Sequence, residues 1–276
     1  MAPYFRIGLL QILNILAFAA VIIVNGLADF LPINGQTTGE ISNRYPNLFV
    51  PAPVTFAIWA IIYSFLFLFC FYQGSSLFEY EKKFIDKKEK VVARIGYRFV
   101  LSCILNISWI LAWHYNQLLL SVLIMLGLLS TLISIFQKIH SEGIYGNKKA
   151  RWFVYAPFSI YLGWISIATI ANITAYLVSI GWTGWNVEEW IWTVIMVIAG
   201  TILGVAMLLR RNNVFYAVTV VWALAGIILK QRSASGTLNT IAITALCASI
   251  LLLLLAAFKL RTLHPVKETV GNKQVN

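Results

Sequence analysis

The sequence is poor in charge. Asp, Glu, Lys and Arg together make up 11% of its 276 residues, against roughly 25% in a soluble domain. Acid is the scarcer sign, with 10 Asp and Glu against 21 Lys and Arg, for a net charge of +11. Cysteine and histidine are scarce too, at three each. Cys70, Cys103 and Cys247 lie far apart in apolar runs and read as buried free thiols. No CxxC spacing supports a disulfide framework or a zinc site. His114, His140 and His264 are equally scattered, so no metal site is expected. No GxSxG or HExxH motif is present, so no hydrolase nucleophile or zincin is indicated.

Apolar residues fill the space instead. They account for 60% of the chain, more than a soluble fold of this size can hide, so the excess is expected to face lipid. Spans of about 20 residues fit the apolar runs at Ile7–Ala28, Val54–Phe71, Ile95–Tyr115, Leu118–Gln137, Trp152–Ile180, Trp190–Leu209, Val214–Leu229 and Leu238–Phe258. These runs are too long and too little alternating for a lipid-facing β-barrel. The expected fold is therefore an all-α polytopic membrane protein with about eight spans. Ala17-Phe18-Ala19 has the spacing of a signal-peptide cleavage site, but the apolar run continues through Val21–Val24, so an uncleaved first helix is expected.

The basic excess reads as topology rather than nucleic-acid binding. With the N-terminus inside, 18 of the 21 Lys and Arg fall in inside segments, as cytoplasmic retention of cations requires. Arg44, Lys230 and Arg232 are the exceptions. Both termini are thus expected in the cytoplasm, with the plasma membrane as host. The mixed-charge stretch 79–90 reads as a solvated helical extension, and Lys259–Asn276 as a polar tail. Trp152, Trp182, Trp185, Trp190 and Trp192 sit near span borders and read as an interfacial aromatic belt.

No charged side chain lies well inside a span, which disfavours proton relays, ion-coupled transport and a retinal Schiff base. The polar residues that do are amides and hydroxyls: Asn14 and Asn25 in span one, Asn106 and Ser108 in span three, Ser166, Thr169 and Asn172 in span five. Asn106, Trp109 and Trp113 share one helix face, as do Trp164, Ala168 and Asn172. These faces read either as interhelical packing or as a pocket with aromatic walls for a flat apolar ligand. Residues 29–50 form a loop long enough to serve as a lid.

Four segments, in order, resemble the TspO/MBR family, the tryptophan-rich sensory proteins and the mitochondrial translocator protein. Asn47-Leu48-Phe49-Val50-Pro51 followed by Trp59 and Tyr63 looks like the family's proline-containing entry and W-x-x-x-Y. Asn106-Ile107-Ser108-Trp109 looks like its N-x-x-W. Ala156-Pro157 with Tyr161-Leu162-Gly163-Trp164 resembles the entry to its fifth helix, and Trp164 through Asn172 its W-x-x-x-A-T-x-x-N. The resemblance covers residues 7–178. It implies a five-helix bundle over 1–180, a pocket closed by the first loop, and a tetrapyrrole such as haem or protoporphyrin as ligand, with no obligatory cofactor. Trp59, Tyr63, Asn106, Trp109, Trp164, Ala168 and Asn172 would be its pocket or pocket-supporting residues, and a homodimer is implied as an option. Arg44 is the loop's one candidate cation for a porphyrin carboxylate. Pro53 replaces a family Trp, Ile110 and Leu111 replace two prolines, and no arginine follows Asn172. No Lys or Arg lies within five residues after Tyr176, so cholesterol binding is not indicated. Three further spans over 181–258 have no assigned role beyond packing, and 259–276 is the tail. A ligand sensor or carrier leads. A small-molecule transporter and a light-dependent porphyrin-degrading enzyme, needing only electron-rich side chains near the ligand, are the alternatives.

Overall fold

A computed structural model describes residues 3–31, 33–78, 87–141, 148–235 and 239–263. They form an all-α bundle with no strand among the described residues. The helices are α1 (Pro3–Phe30), α2 (Thr38–Asn43), α3 (Ile58–Gly74), α4 (Lys87–Ile95), α5 (Arg98–His114), α6 (Leu118–Ser141), α7 (Ala156–Ser179), α8 (Glu189–Arg211), α9 (Val214–Ser235) and α10 (Thr240–Leu263). Seven are long and apolar enough to cross a membrane, and α4 with α5, bent by 56°, makes up to an eighth span. The protein is an integral, multi-pass membrane protein. Most of the stretch 79–90 lies outside the described residues; its last part, from Lys87, opens α4. The last helix runs to Leu263, past the expected start of the tail, and residues 264–276 lie outside the described residues.

Local chemistry sets the breaks. Gly96 adopts a left-handed φ of +57°, which a side chain rarely tolerates, and it makes the corner between α4 and α5. Asn116 and Asn212, also left-handed, end α5 and α8, the role Asn shares with Gly at helix C-termini. Helix α5 passes unbroken through Ile110 and Leu111, where prolines would interrupt its hydrogen bonds.

Helix α7 is the axle: 83% of its membrane-crossing window is buried, more than for any other span. It packs on α3, α6 and α9, while α8, α9 and α10 pack on one another. Gly163 lets α9 close on α7, since a Cβ there would lie 3.0 Å from Thr219 Cβ and 3.1 Å from the Tyr216 carbonyl. Buried amides lock α1 to α3: Asn14 Nδ2 donates to Gln73 Oε1 (2.9 Å) and Gln11 Nε2 to the Gln73 carbonyl (2.6 Å). In lipid no water competes for such groups, so they orient the helices that share them. Along α8 and α10 the exposed residues are mainly apolar, such as Ile202, Leu209, Leu251 and Leu254, as a lipid-facing wall requires, and Cys247, expected to be buried, is exposed among them.

Following the helix directions, Arg44, Lys230 and Arg232 stand at one end of the bundle. That end also carries the first loop and is here the lid end. Arg94, Lys138, Lys148, Arg151, Arg210 and Arg261 stand at the other.

Candidate functional site

Helices α3, α5 and α7 bring their tryptophans together beneath the first loop. Trp59 is central. It stacks on Tyr63 (5.4 Å between ring centroids, 25°), lies 6.3 Å from Trp109 and meets Tyr161 and Trp164 edge-on at 6.0 and 6.3 Å. Trp109 in turn stacks on Trp113 at 5.8 Å. Edge and offset contacts of this kind are the favourable geometries for aromatic quadrupoles.

These rings line a cavity with Thr38 and Ser42 of α2 above it, Val50, Pro51 and Phe56 on one side, and Ala168, Ala171 and Asn172 on another. Its volume is only about 50 Å³, whereas small-molecule sites run to roughly 300–1,000 Å³. The site is closed in this conformation. A tetrapyrrole enters only if the lid lifts or the indoles swing aside.

Five of the seven residues expected at the pocket line this cavity: Trp59, Trp109, Trp164, Ala168 and Asn172. Tyr63 stands behind Trp59. Asn106 does not line the cavity. It accepts from Asn25 Nδ2 at 2.9 Å and donates to the Tyr161 hydroxyl at 3.1 Å, tying α1, α5 and α7 together. Asn172 is also a brace: Oδ1 accepts the Trp109 indole N–H at 2.7 Å and Nδ2 donates to Ser121 Oγ at 2.8 Å. One polar group is left over. The Trp164 indole nitrogen is buried with no hydrogen-bond partner among the described residues, a situation that costs about 1–3 kcal/mol. Arg44 is exposed and is not among the lining residues.

The lid is fastened in two halves. The first half, residues 33–45, is tied to the end of α5. His114 contacts the Ile33 carbonyl through Nδ1 (3.0 Å) and Thr38 Oγ1 through Nε2 (3.2 Å), and Trp113 Nε1 donates to the Thr38 carbonyl. Helix α2 is started by a capping box between Thr37 and Glu40, legible in the sequence as T-x-x-E. The Thr37 backbone N–H and hydroxyl both donate to Glu40, and they hold its carboxyl below the ordinary value of 4.5. A lowered carboxyl contributes stability above that ordinary value and loses it as pH falls through the lowered one. A spin label at position 44 is therefore expected to gain mobility as pH falls below 4.5 and through the lowered value. Glu40→Ala is expected to show the acid behaviour at every pH.

The second half, residues 47–55, is tied to α8 and α9, outside the five-span resemblance. Glu189 Oε1 accepts the Leu48 N–H (2.8 Å), Gln231 Nε2 donates to the Leu48 carbonyl (2.8 Å) and Lys230 Nζ to the Asn47 carbonyl (3.3 Å). Further down, Ala52 N–H donates to the Gly226 carbonyl (3.0 Å) and Trp222 Nε1 to the Thr55 carbonyl (2.9 Å). Sequence reasoning gave these residues no part in the site. One signal was available: Lys230, a cation out of place in the charge count, is spent on the lid.

A model of the family described as TSPO-like protein matches residues 11–258. The match passes the end of the motif resemblance at residue 178 and takes in α8, α9 and almost all of α10. No curated protein and no solved structure gives a match.

Proposed function

The chain belongs to the TSPO-like family, and from that premise we propose that it binds a flat hydrophobic ligand of the tetrapyrrole class under its lid, as a membrane sensor, regulator or carrier. The observation that carries this reading is the Trp164 indole N–H, buried and unpartnered in a residue that lines an aromatic cavity. A ligand oxygen or ring nitrogen would satisfy it. Trp59, Trp109 and Trp113 would stack on the ligand faces, and Ala168 would leave room beside Trp164. Asn106 and Asn172 act through the helices they brace, because their amides are engaged with protein partners.

Protoporphyrin IX added to the purified protein in nanodiscs is expected to quench tryptophan fluorescence saturably. Trp164→Phe keeps an aromatic ring, though a smaller one, and removes the donor, and is expected to weaken binding about tenfold, or roughly 1.4 kcal/mol. Quenching that never saturates and ignores this substitution would sink the reading. Vesicle flux of the bound porphyrin would make the protein a carrier. A new product formed only under light and oxygen would make it an enzyme.

A further inference from the structure

A second and larger space lies at the lid end between α7 and α8. The two helices touch where Gly200 faces Ile167, close enough that a Cβ on Gly200 would come within 2.8 Å of Ile167 Cδ1. Toward the lid end they leave a cleft of about 600 Å³. Its volume falls within the usual small-molecule range. The segment of residues 46–51 runs between the two spaces: Pro46 and Asn47 line the cleft, Val50 and Pro51 the aromatic cavity.

The cleft is apolar inside and polar at its mouth. Ile170, Ile173, Leu177 and Met196 form the walls. Two of its hydroxyls are spent, Thr174 on the Ile170 carbonyl and the Met196 sulfur and Thr193 on the Glu189 carbonyl, while Thr183 is exposed at the rim. Asn47 is spent on its own turn, donating to the Tyr45 carbonyl and accepting from Phe49 and Val50. The groups still open stand at the mouth. The Trp182 ring packs against Trp192 at 5.4 Å while its indole N–H has no bond among the described residues. Glu189 gives one carboxylate oxygen to Leu48 and keeps the other. Glu188 adds a second negative charge next in the chain, with one oxygen accepting the Trp190 indole N–H, and Lys230 donates to the Asn47 carbonyl while standing within electrostatic reach of Glu189.

We propose that this cleft binds a membrane-dissolved amine, an apolar body with a cationic nitrogen held at Glu189 and against the Trp182 face. The Glu189 carboxylate, at the mouth of an otherwise apolar cleft, attracts a cation, and an indole face attracts one too. Anionic amphiphiles, porphyrins included, are repelled by the same pair of acids. This site is separate from the tryptophan cavity and does not depend on what binds there.

The test uses three probes with one tail, brominated at its end: ω-bromododecyl trimethylammonium, ω-bromododecanol and ω-bromododecanoate. Each is titrated into the full-length protein in nanodiscs while tryptophan quenching is followed. The ammonium probe is expected to quench saturably and at least about tenfold more tightly than the alcohol, with no saturable phase for the carboxylate. Glu189→Gln keeps the acceptor for Leu48 and removes the charge, and is expected to erase the advantage of the ammonium. Thr174→Phe fills the cleft floor and is expected to abolish saturable quenching, with Ile173→Trp as a second blocking variant should the first not fold. Equal quenching by all three probes, an ammonium advantage that survives Glu189→Gln, or binding untouched by the blocking variant would overturn the assignment.

Discussion

Gly226→Ala is expected to push the second half of the lid off α9 and to leave the protein unstable. A Cβ at this position would lie 2.7 Å from Thr55 Cγ2, 2.8 Å from Pro51 Cβ and nearer still to Thr55 Oγ1. The threonine could turn aside, but a proline ring has no rotamer to offer. The backbone must move, and it is held there by the Ala52 N–H to Gly226 carbonyl bond. Overpacking of this kind costs about 1–3 kcal/mol and sometimes more, and a shift of Pro51 moves a wall of the cavity. Thermal unfolding followed by fluorescence-detected size exclusion should show a clear loss of midpoint. Thr55→Ala removes two of the three clashing atoms, and the Thr55 hydroxyl has no partner among the described residues. The double variant Gly226→Ala/Thr55→Ala should therefore recover part of the loss. Full stability in Gly226→Ala alone would mean that the lid segment is not packed on α9 as described.

The second large effect is expected from Asn172→Leu. The substitution keeps the approximate volume and leaves the Trp109 indole N–H buried without its 2.7 Å acceptor. Orphaning a buried donor costs about 1–3 kcal/mol; in membrane bundles the measured range is lower, up to about 1.7. Trp109, freed from its orienting bond, would lose its fixed stacking on Trp113, so porphyrin affinity should fall along with stability. Trp109→Phe removes the donor and should make Asn172→Leu milder. A double-mutant cycle measures that coupling directly. Strict additivity would mean that the pair does not act as a unit.

The sequence displayed the helices more plainly than the site. Long apolar runs declared the spans because a lipid-spanning segment must be apolar along its length, and the helices lie close to the runs. Residues 47–63 and 156–172 carried the family pattern, and five of the seven residues expected at the pocket line one cavity. The roles within that set were not legible. Asn106 and Asn172 look alike as buried amides, and which partners consume them depends on helix rotation, which no spacing rule fixes. The contribution of α8 and α9 was hidden for a similar reason. Gln231 and Glu189 bond Leu48 across about 140 to 180 residues of chain, and long-range pairs leave no periodic trace. Gly226 reads in one dimension as a mild helix weakener, yet in three it is where the lid segment packs on α9.

The lid account joins these parts. Residues 47–55 are bound on one side to α8 and α9, while residues 33–45 hang on the end of α5 and on a short capped helix. A ligand too large for a cavity of about 50 Å³ that enters past the lid is therefore expected to displace the first half rather than the second. The measurement that tests this most directly is a spin-label distance between position 44 in the lid and position 119 at the start of α6. It is read in a cysteine-free background carrying those two labels, with and without protoporphyrin IX. The account predicts a longer and broader distance on binding, abolished by Ala168→Trp, which fills the cavity. An unchanged distance at saturating porphyrin, or a shift that persists in Ala168→Trp, would contradict it.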